Sequence, residues 1–575
     1  MNSHHRSYRM LILCATLFLF WAAALTGTDS YYNNYTLCVA AAVFCLSFFF
    51  FTGKGKNIKR SAYLPVFSVL LSLMALLANY HLFEPLSEHY LKAILTFIGG
   101  LLLFGTILSA LSMVPDGGLL SADAKGSAPG KVFLISFLVI ASIDLIFLFG
   151  AFYPGFLTLD SSLQVGQIFS HEYSNHNPYW HTFMIRICLT LGFRLFHSAN
   201  AGVAIYSVCQ ILLLGSCFSF SLSTLEHIRV RRGLIWTFLV LFAVVPYNIA
   251  YSVTMWKDIP FSIAVLFFVT ALYRILLRLG HMPFNYIILF CSTAGFCLLR
   301  SNGFAACCVS FLIGLLLIRK AAPKALLIIC VGLVCSFILK HPVLNMLHVT
   351  QPDTAEMLSI PEQQIARVIS EGCELTGEQK AFLGKITDLD AVPGQYVPWL
   401  SNPIKTGIRE FGGVPYLSHH LREFLSVWLQ IGLRHPVLYG KAWIDQTKGY
   451  WNSGYPYWIY ALELWENDFG ICLETHAPAV KDQFETWFQT FEETVFYQPL
   501  ISVGLMVWIL FACLFVCLCR KKTALITLLA PFICIIGTLV LTTPVAYEFR
   551  YAYALALSLP FLIGVTFASF GEQTN

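Results

Sequence analysis

The sequence predicts an all-α polytopic membrane protein of about fourteen transmembrane helices, carrying an extracytoplasmic, mostly helical domain. Three observations lead there. The 575 residues are 57% hydrophobic and only 12% charged, with a mean hydropathy of +0.70, which is too apolar for a soluble chain around one core. Apolar runs of roughly 20 residues recur, each long enough to cross the ~30 Å hydrocarbon layer as a helix that satisfies its own backbone. Between the runs, basic clusters alternate with polar, aromatic loops, as a cytoplasmic excess of Lys and Arg requires.

In chain order, candidate spans fall at 10–25, 35–51, 62–79, 91–113, 132–152, 201–222, 234–251, 260–277, 284–299, 303–318, 324–339, 500–518, 524–541 and 551–570. The first follows a short basic stretch with Arg6 and Arg9, as in a signal peptide, with small residues from Ala22 to Ala24 where cleavage would fall. It is read as an uncleaved anchor, because the charge pattern then works with the amino terminus inside. Direction is set by Lys54, Lys56, Lys59 and Arg60; by Arg229, Arg231 and Arg232; by Arg274 and Arg278; by Arg319, Lys320 and Lys324; and by Arg520, Lys521 and Lys522. The segment from Tyr179 to Phe196 decides parity. With Arg186 and Arg194 inside it, it reads as a helix lying in the interface, and every basic cluster then falls on the cytoplasmic side of a plasma membrane, with both termini cytoplasmic.

The chain divides into 1–131, with about four membrane helices; 132–340, a membrane core with its first outer loop at 153–200; 341–497, an outer domain; and 498–575, closing membrane helices. The outer domain is rich in tryptophan, with Trp428, Trp443, Trp451, Trp458 and Trp465, and amphipathic helices are expected at 363–370 and 421–432. Most of the 18 cysteines lie in apolar runs as small hydrophobes; Cys373 and Cys472 are the pair that could bridge outside the membrane. The net charge of +5 is small and dispersed, so nucleic acid is excluded as a partner. No Walker motif, dinucleotide fingerprint, nucleophile elbow or HExxH occurs. Asp144 is the one clear acid inside a span.

The parity reading gathers the chemistry-bearing residues on one outer face. Asp160 closes the stretch Tyr153 to Ser162, where a span gives way to a polar loop. It reads as a helix cap, or as a general base whose carboxyl is raised by partial desolvation. A cap at Ser161 would complete a Ser-x-x-Gln box with Gln164 and leave Asp160 free. Lys257 and Asp258 precede Pro260 at the start of a span; the lysine is an interface anchor or an anion ligand, and the aspartate a cap or an acid of the site. Arg300 with Asn302, and Arg550, are cations at further outer corners, suited to hold phosphate oxygens or to pair locally, Arg550 with Glu548. His171, His176 and His181 do not show zinc-motif spacing, and His181 is taken as a hydrogen-bonding residue of the loop.

This pattern resembles the GT-C superfamily of integral-membrane glycosyltransferases, which includes protein O-mannosyltransferases and the lipid A aminoarabinose transferase. The likeness runs from Val132 to the end: a span, an outer loop opening on an acid, many further spans and a late outer domain. The chain is also similar to a bacterial polytopic membrane family marked by Tyr153-Pro154-Gly155, then Asp160-Ser161, Trp256-Lys257-Asp258, the run from Ser359 to Gln364, and Arg550-Tyr551. The resemblance implies transfer of a sugar from a polyprenyl-phosphate donor to an extracytoplasmic acceptor. It makes Asp160 the base or acceptor-orienting acid and Asp258 a second acid, with Lys257, Arg300, Asn302, Arg550, Gln164 and His181 binding substrate or phosphate. No cofactor is fixed and a divalent metal stays open: many members carry two adjacent acids in the first loop, whereas Asp160 is followed by Ser161 and Ser162.

Two other readings stay open, a flippase for lipid-linked saccharides and a polymerase or ligase of surface polysaccharide. An enzyme should bring Asp160 and a phosphate-binding cation together on the outer side, whereas a flippase should line the bilayer midplane with polar groups. In a cysteine-depleted background, single cysteines at Arg231 and at Lys257 are expected to react with an impermeant thiol reagent from opposite faces. Labelling from one face sinks the parity reading.

Overall fold

The structure, a computed structural model, describes residues 61–120, 128–542 and 545–568. Among these the chain is helical, with isolated bridges in place of sheets. Seven helices are long and apolar enough to cross a membrane: Leu86–Met113, Pro129–Ala151, Ala199–His227, Asp258–Leu276, Pro323–Met346, Thr523–Leu541 and Phe549–Phe567. Shorter apolar helices occupy Tyr63–Ala78, Met282–Leu298, Gly303–Leu317 and Val503–Cys519. Every expected span from 62–79 onward except 234–251 thus falls on a helix, while those at 10–25 and 35–51, and the basic cluster from Lys54 to Arg60, lie outside the described residues.

The expected span at 234–251 is a correction. It is two helices, Arg232–Val244 and Pro246–Val253, bent by 61°. Pro246 has no N–H to continue the ladder and forces Val245 into an extended conformation, φ −74 and ψ 118. The Asn248 side chain donates to the Phe242 carbonyl at 3.0 Å, supplying a partner beside the break.

Asp258–Leu276 is the central helix, with 89% of its apolar window inside protein, against 28% for Pro323–Met346. The latter shows Leu327, Val331, Val334, Phe337 and Ile338 to the outside, a helical stripe suited to hydrocarbon. Helix Tyr179–Phe196 lies against Ala199–His227, with Gly192 and Gly202 at the contact. A Cβ on Gly192 would sit 2.2 Å from the Gly202 nitrogen, so the two backbones touch where only glycine fits.

Beyond the membrane helices, the segments from Ala355 to Tyr439 form a helical lobe with its own core, including Ile365, Val368, Ile386, Ile404, Ile408, Leu417 and Phe424. Both expected amphipathic helices are present, as Ser359–Ser370 and Leu421–Arg434. The tryptophan-rich stretch that follows belongs elsewhere: Tyr450, Trp451 and Ile459 join the large core of the membrane helices. From there the chain runs as a non-helical strap to Ala477, bonding back onto the loop after Pro129–Ala151. Trp465 N–H donates to the Leu157 carbonyl at 2.7 Å, Glu474 N–H to Tyr153 at 2.7 Å and Ala477 N–H to Gly150 at 2.8 Å. Cys373 and Cys472 are both free, so the bridge between them is not made.

Glu362 lies in the lobe, 3% exposed, with both carboxyl oxygens lacking a hydrogen bond beside a cavity of about 30 Å³ walled by Ile365, Leu383 and Ile404. Burial pushes its carboxyl up from 4.5 to about 8, and nearby Lys405 is engaged by Glu356 at 2.8 Å. A carboxyl raised by folding favours the folded state while neutral, so its contribution declines as pH rises from 4.5 towards 8. Glu362→Gln is therefore expected to raise the thermal unfolding temperature above that window and to leave it nearly unchanged below it. An equal shift at both ends would show that no neutral acid is buried there.

Candidate functional site

The site begins where helix Pro129–Ala151 ends in a π turn, Phe147–Ala151, and the chain enters Tyr153-Pro154-Gly155. Gly155 has φ +119, and a Cβ there would lie 2.4 Å from Ser207 Oγ and 2.7 Å from the Val253 carbonyl. Neither the conformation nor the space admits a side chain. Phe156 then pairs in parallel with Thr254: its N–H donates to Val253 and its carbonyl accepts from Met255, both at 3.0 Å. This clip sets the loop after Pro129–Ala151 beside the Trp256-Lys257-Asp258 corner.

Helix Leu159–Ser170 is capped by Thr158, not by Asp160 or Ser161. The Thr158 N–H donates to Ser161 Oγ at 3.0 Å, so the expected Ser161–Gln164 box is replaced by one shifted three residues earlier. Trp256 decides the register, since its Nε1 donates to Thr158 Oγ1 at 2.6 Å. The Asp160 carboxylate is thereby left free of capping duty. Asp258 is likewise no cap: it is the first residue of its helix, and Lys257 stands at the cap position without a side-chain capping bond.

The expected acids and cations meet in one network. Asp160 Oδ2 accepts from Lys257 Nζ at 3.2 Å and from Arg550 Nη1 at 2.9 Å. Arg550 also pairs with Glu548 through Nε and stands 3.7 Å from Asp258 Oδ2. Arg300 Nη1 pairs with Asp258 Oδ1. The guanidinium groups stack as well, Arg550 over Trp256 at 4.8 Å and Arg300 over Tyr551 at 4.5 Å, a geometry that planar, weakly hydrated cations favour. Asp258 and both arginines are buried, while the Asp160 side chain keeps 25% of its surface exposed.

That setting reverses one expectation. Burial alone would raise the Asp160 carboxyl, but Lys257 and Arg550 outweigh it and hold the group well below the usual carboxylate range. A depressed carboxyl contributes stability above its ordinary 3.8 and loses it only as pH falls through the lower folded value. Asp160 is therefore a fixed anion at neutral pH.

Gln164 and His181 are placed behind the network and are fully engaged. His181 bonds Gln164 Oε1 at 2.9 Å and the Tyr206 hydroxyl at 2.7 Å, and Gln164 Nε2 donates to Thr182 at 2.8 Å. Tyr206 continues to Gln210 at 3.1 Å, whose amide reaches the carbonyls of Tyr251, Ser252 and Thr254. Burial, aided by Lys257, lowers the imidazole to about 3, so it is neutral. These residues brace the loop instead of facing a ligand, because burial and partners leave them no free polar edge. Asn302 also stands apart from the charges, donating to Thr538 at 2.9 Å. His171 and His176 are exposed, and among the described residues no group of three or more His, Cys, Asp or Glu is placed to hold a metal.

Asn177 is the site residue that sequence reading missed. Only 1% exposed, it accepts from Lys257 through Oδ1 and donates to the Asp160 carbonyl at 3.4 Å. Its sole signal in the sequence is a position before Pro178 in a polar loop.

Residues 170–574, well over half of the chain, match DUF6020, described as a family of unknown function. The chain belongs to the DUF6020 family. No curated protein and no solved structure matches it. The DUF6020 match takes in Lys257, Asp258, Arg300, Glu548 and Arg550 and begins ten residues after Asp160, at about the end of the helix that carries it.

Within this DUF6020 chain, removing Arg550 leaves Asp160 and Glu548 without their shared cation. Arg550→Met is expected to cost about 3–5 kcal/mol, read as a lower thermal unfolding temperature in detergent. Arg550→Lys should recover only part, since it keeps the charge but not the fork. An unchanged melting temperature in both would remove the network from the stability of the fold.

Proposed function

We propose that this protein is a membrane glycosyltransferase. It moves a sugar from a polyprenyl-phosphate or polyprenyl-diphosphate donor to an extracytoplasmic acceptor, a cell-envelope glycopolymer, a lipid or a protein. In this reading the protein sits in the plasma membrane with about fourteen spans and cytoplasmic termini, and the helical lobe faces outward.

The single observation behind the proposal is the meeting of Asp160 with Lys257 and Arg550 on one carboxyl oxygen of a side chain that remains partly exposed. An acid that receives a proton and cations that receive a phosphate are what the chemistry needs in one place. The acceptor hydroxyl oxygen attacks the anomeric carbon and its proton passes to Asp160, which takes it as the donor phosphate draws Lys257 and Arg550 away from the carboxylate. The bond from that carbon to the phosphate oxygen breaks, and its electron pair stays on the phosphate. Lys257 and Arg550, with Arg300 behind them through Asp258, offset the charge that develops there. No metal enters this scheme. Convergence of acid and cations at one place supports an enzyme over a flippase, whose polar groups would follow a path through the bilayer.

Asp160→Asn keeps the shape of the side chain and removes the proton acceptor. In proteoliposomes supplied with a polyprenyl-phosphate-linked sugar and an envelope extract, transfer is expected to fall about 100-fold or more. A variant that transfers at the wild-type rate removes Asp160 from the role of base.

A further inference from the structure

The charges of the network balance within the protein: Asp160, Asp258 and Glu548 against Lys257, Arg300 and Arg550. Cations that already hold a carboxylate are not vacant for a phosphate. Two of them, Lys257 and Arg550, close on one oxygen, Asp160 Oδ2, from two sides. Lys257 is steadied by Asn177, and Arg550 by Glu548 and the Trp256 ring. Asn177 touches Asp160 only at its backbone carbonyl and the other supports do not involve Asp160, so the two cations keep their places when the carboxylate leaves. The exposure of the three acids separates their roles. Asp258 is 1% exposed and Glu548 12%, whereas Asp160 is 25% exposed and sits at the N-terminal turn of a helix whose cap is made by Thr158.

We propose that Asp160 is an internal stand-in for phosphate: its carboxylate occupies an anion seat made by Lys257 and Arg550, and an entering phosphate group displaces it. The ligand class is a phosphate ester or phosphate itself, whose tetrahedral oxygens meet the Arg fork and the Lys point charge together. Displacement has a second effect. Once phosphate takes both cations, Asp160 loses the partners that hold its proton affinity down while remaining largely desolvated, so it becomes a better proton acceptor when the seat is filled. This last step rests on the glycosyl-transfer reading, whereas the masked seat does not.

The test uses full-length protein in nanodiscs, with inorganic phosphate in one arm and polyprenyl phosphate in the other, and affinity measured by isothermal titration. Removing an internal competitor raises apparent affinity by the reciprocal of the fraction of time the seat was open. Asp160→Asn is therefore expected to bind both probes about tenfold more tightly than wild type. Glu474→Gln, which removes one charge from the nearby strap, should change affinity less than about twofold. An equal gain in that control, or a folded Asp160→Asn that binds no more tightly, overturns the proposal. If that happens while wild type still binds polyprenyl phosphate, the donor reading stands without the mask. If Asp160→Asn gains for inorganic phosphate alone and wild type transfers no sugar, the seat stands and the donor reading falls. Should Asp160→Asn fail to fold, infrared difference spectra of wild type decide: saturating phosphate must shift a carboxylate band, and an unshifted band overturns the proposal.

Discussion

Everything at the polar end of this molecule depends on one constraint, that charges removed from water must be neutralised by other charges at short range. Arg550 meets it for three acids at once, touching Asp160, Glu548 and, more distantly, Asp258. These partners come from the first loop, the start of the central helix and the end of the chain. Desolvation makes such a network costly to assemble and costlier to break, since one missing partner strands the rest. The helices can therefore pack only in arrangements that bring those corners together, and the close approach at Gly155 lets the loop that carries Asp160 reach the Lys257–Asp258 corner.

The apolar helices among the described residues were legible because hydropathy over roughly 20 residues is a property of each segment alone. Charge parity extended that reading to the grouping of Asp160, Lys257, Asp258, Arg300 and Arg550, which lie together in space. What failed was whatever depended on a partner far along the chain. The cap of the first loop helix moved from Ser161 to Thr158 because the Trp256 indole fixes Thr158. The Asp160 carboxyl is depressed where burial alone predicted a rise, because Arg550 lies 390 residues away. Proline at 246 was visible, but an unbroken apolar run hid the break it causes. Asn177 carries no motif, and its importance is purely positional.

The ladder from Gln164 through His181 and Tyr206 to Gln210 explains why a polar loop can be placed so firmly. The side chains along it hold one another in place, so the loop cannot shift without stranding several of their polar atoms. Rigidity of this kind is what a site built from few groups needs, because tolerance for misplaced charge is small. It leaves freedom mainly to the exposed carboxylate of Asp160.

The strap has a consequence for biosynthesis. The loop after Pro129–Ala151 offers the carbonyls of Gly150, Tyr153 and Leu157, and their partners lie between Trp465 and Ala477; Thr475 bonds Ala151 across 324 residues. While the chain is being made, this edge leaves the membrane with its acceptors bare and waits for most of the remaining helices to be inserted. This face is therefore completed among the last events of folding, and a ribosome that stops before residue 465 releases a protein whose loop after Pro129–Ala151 has nothing to close on.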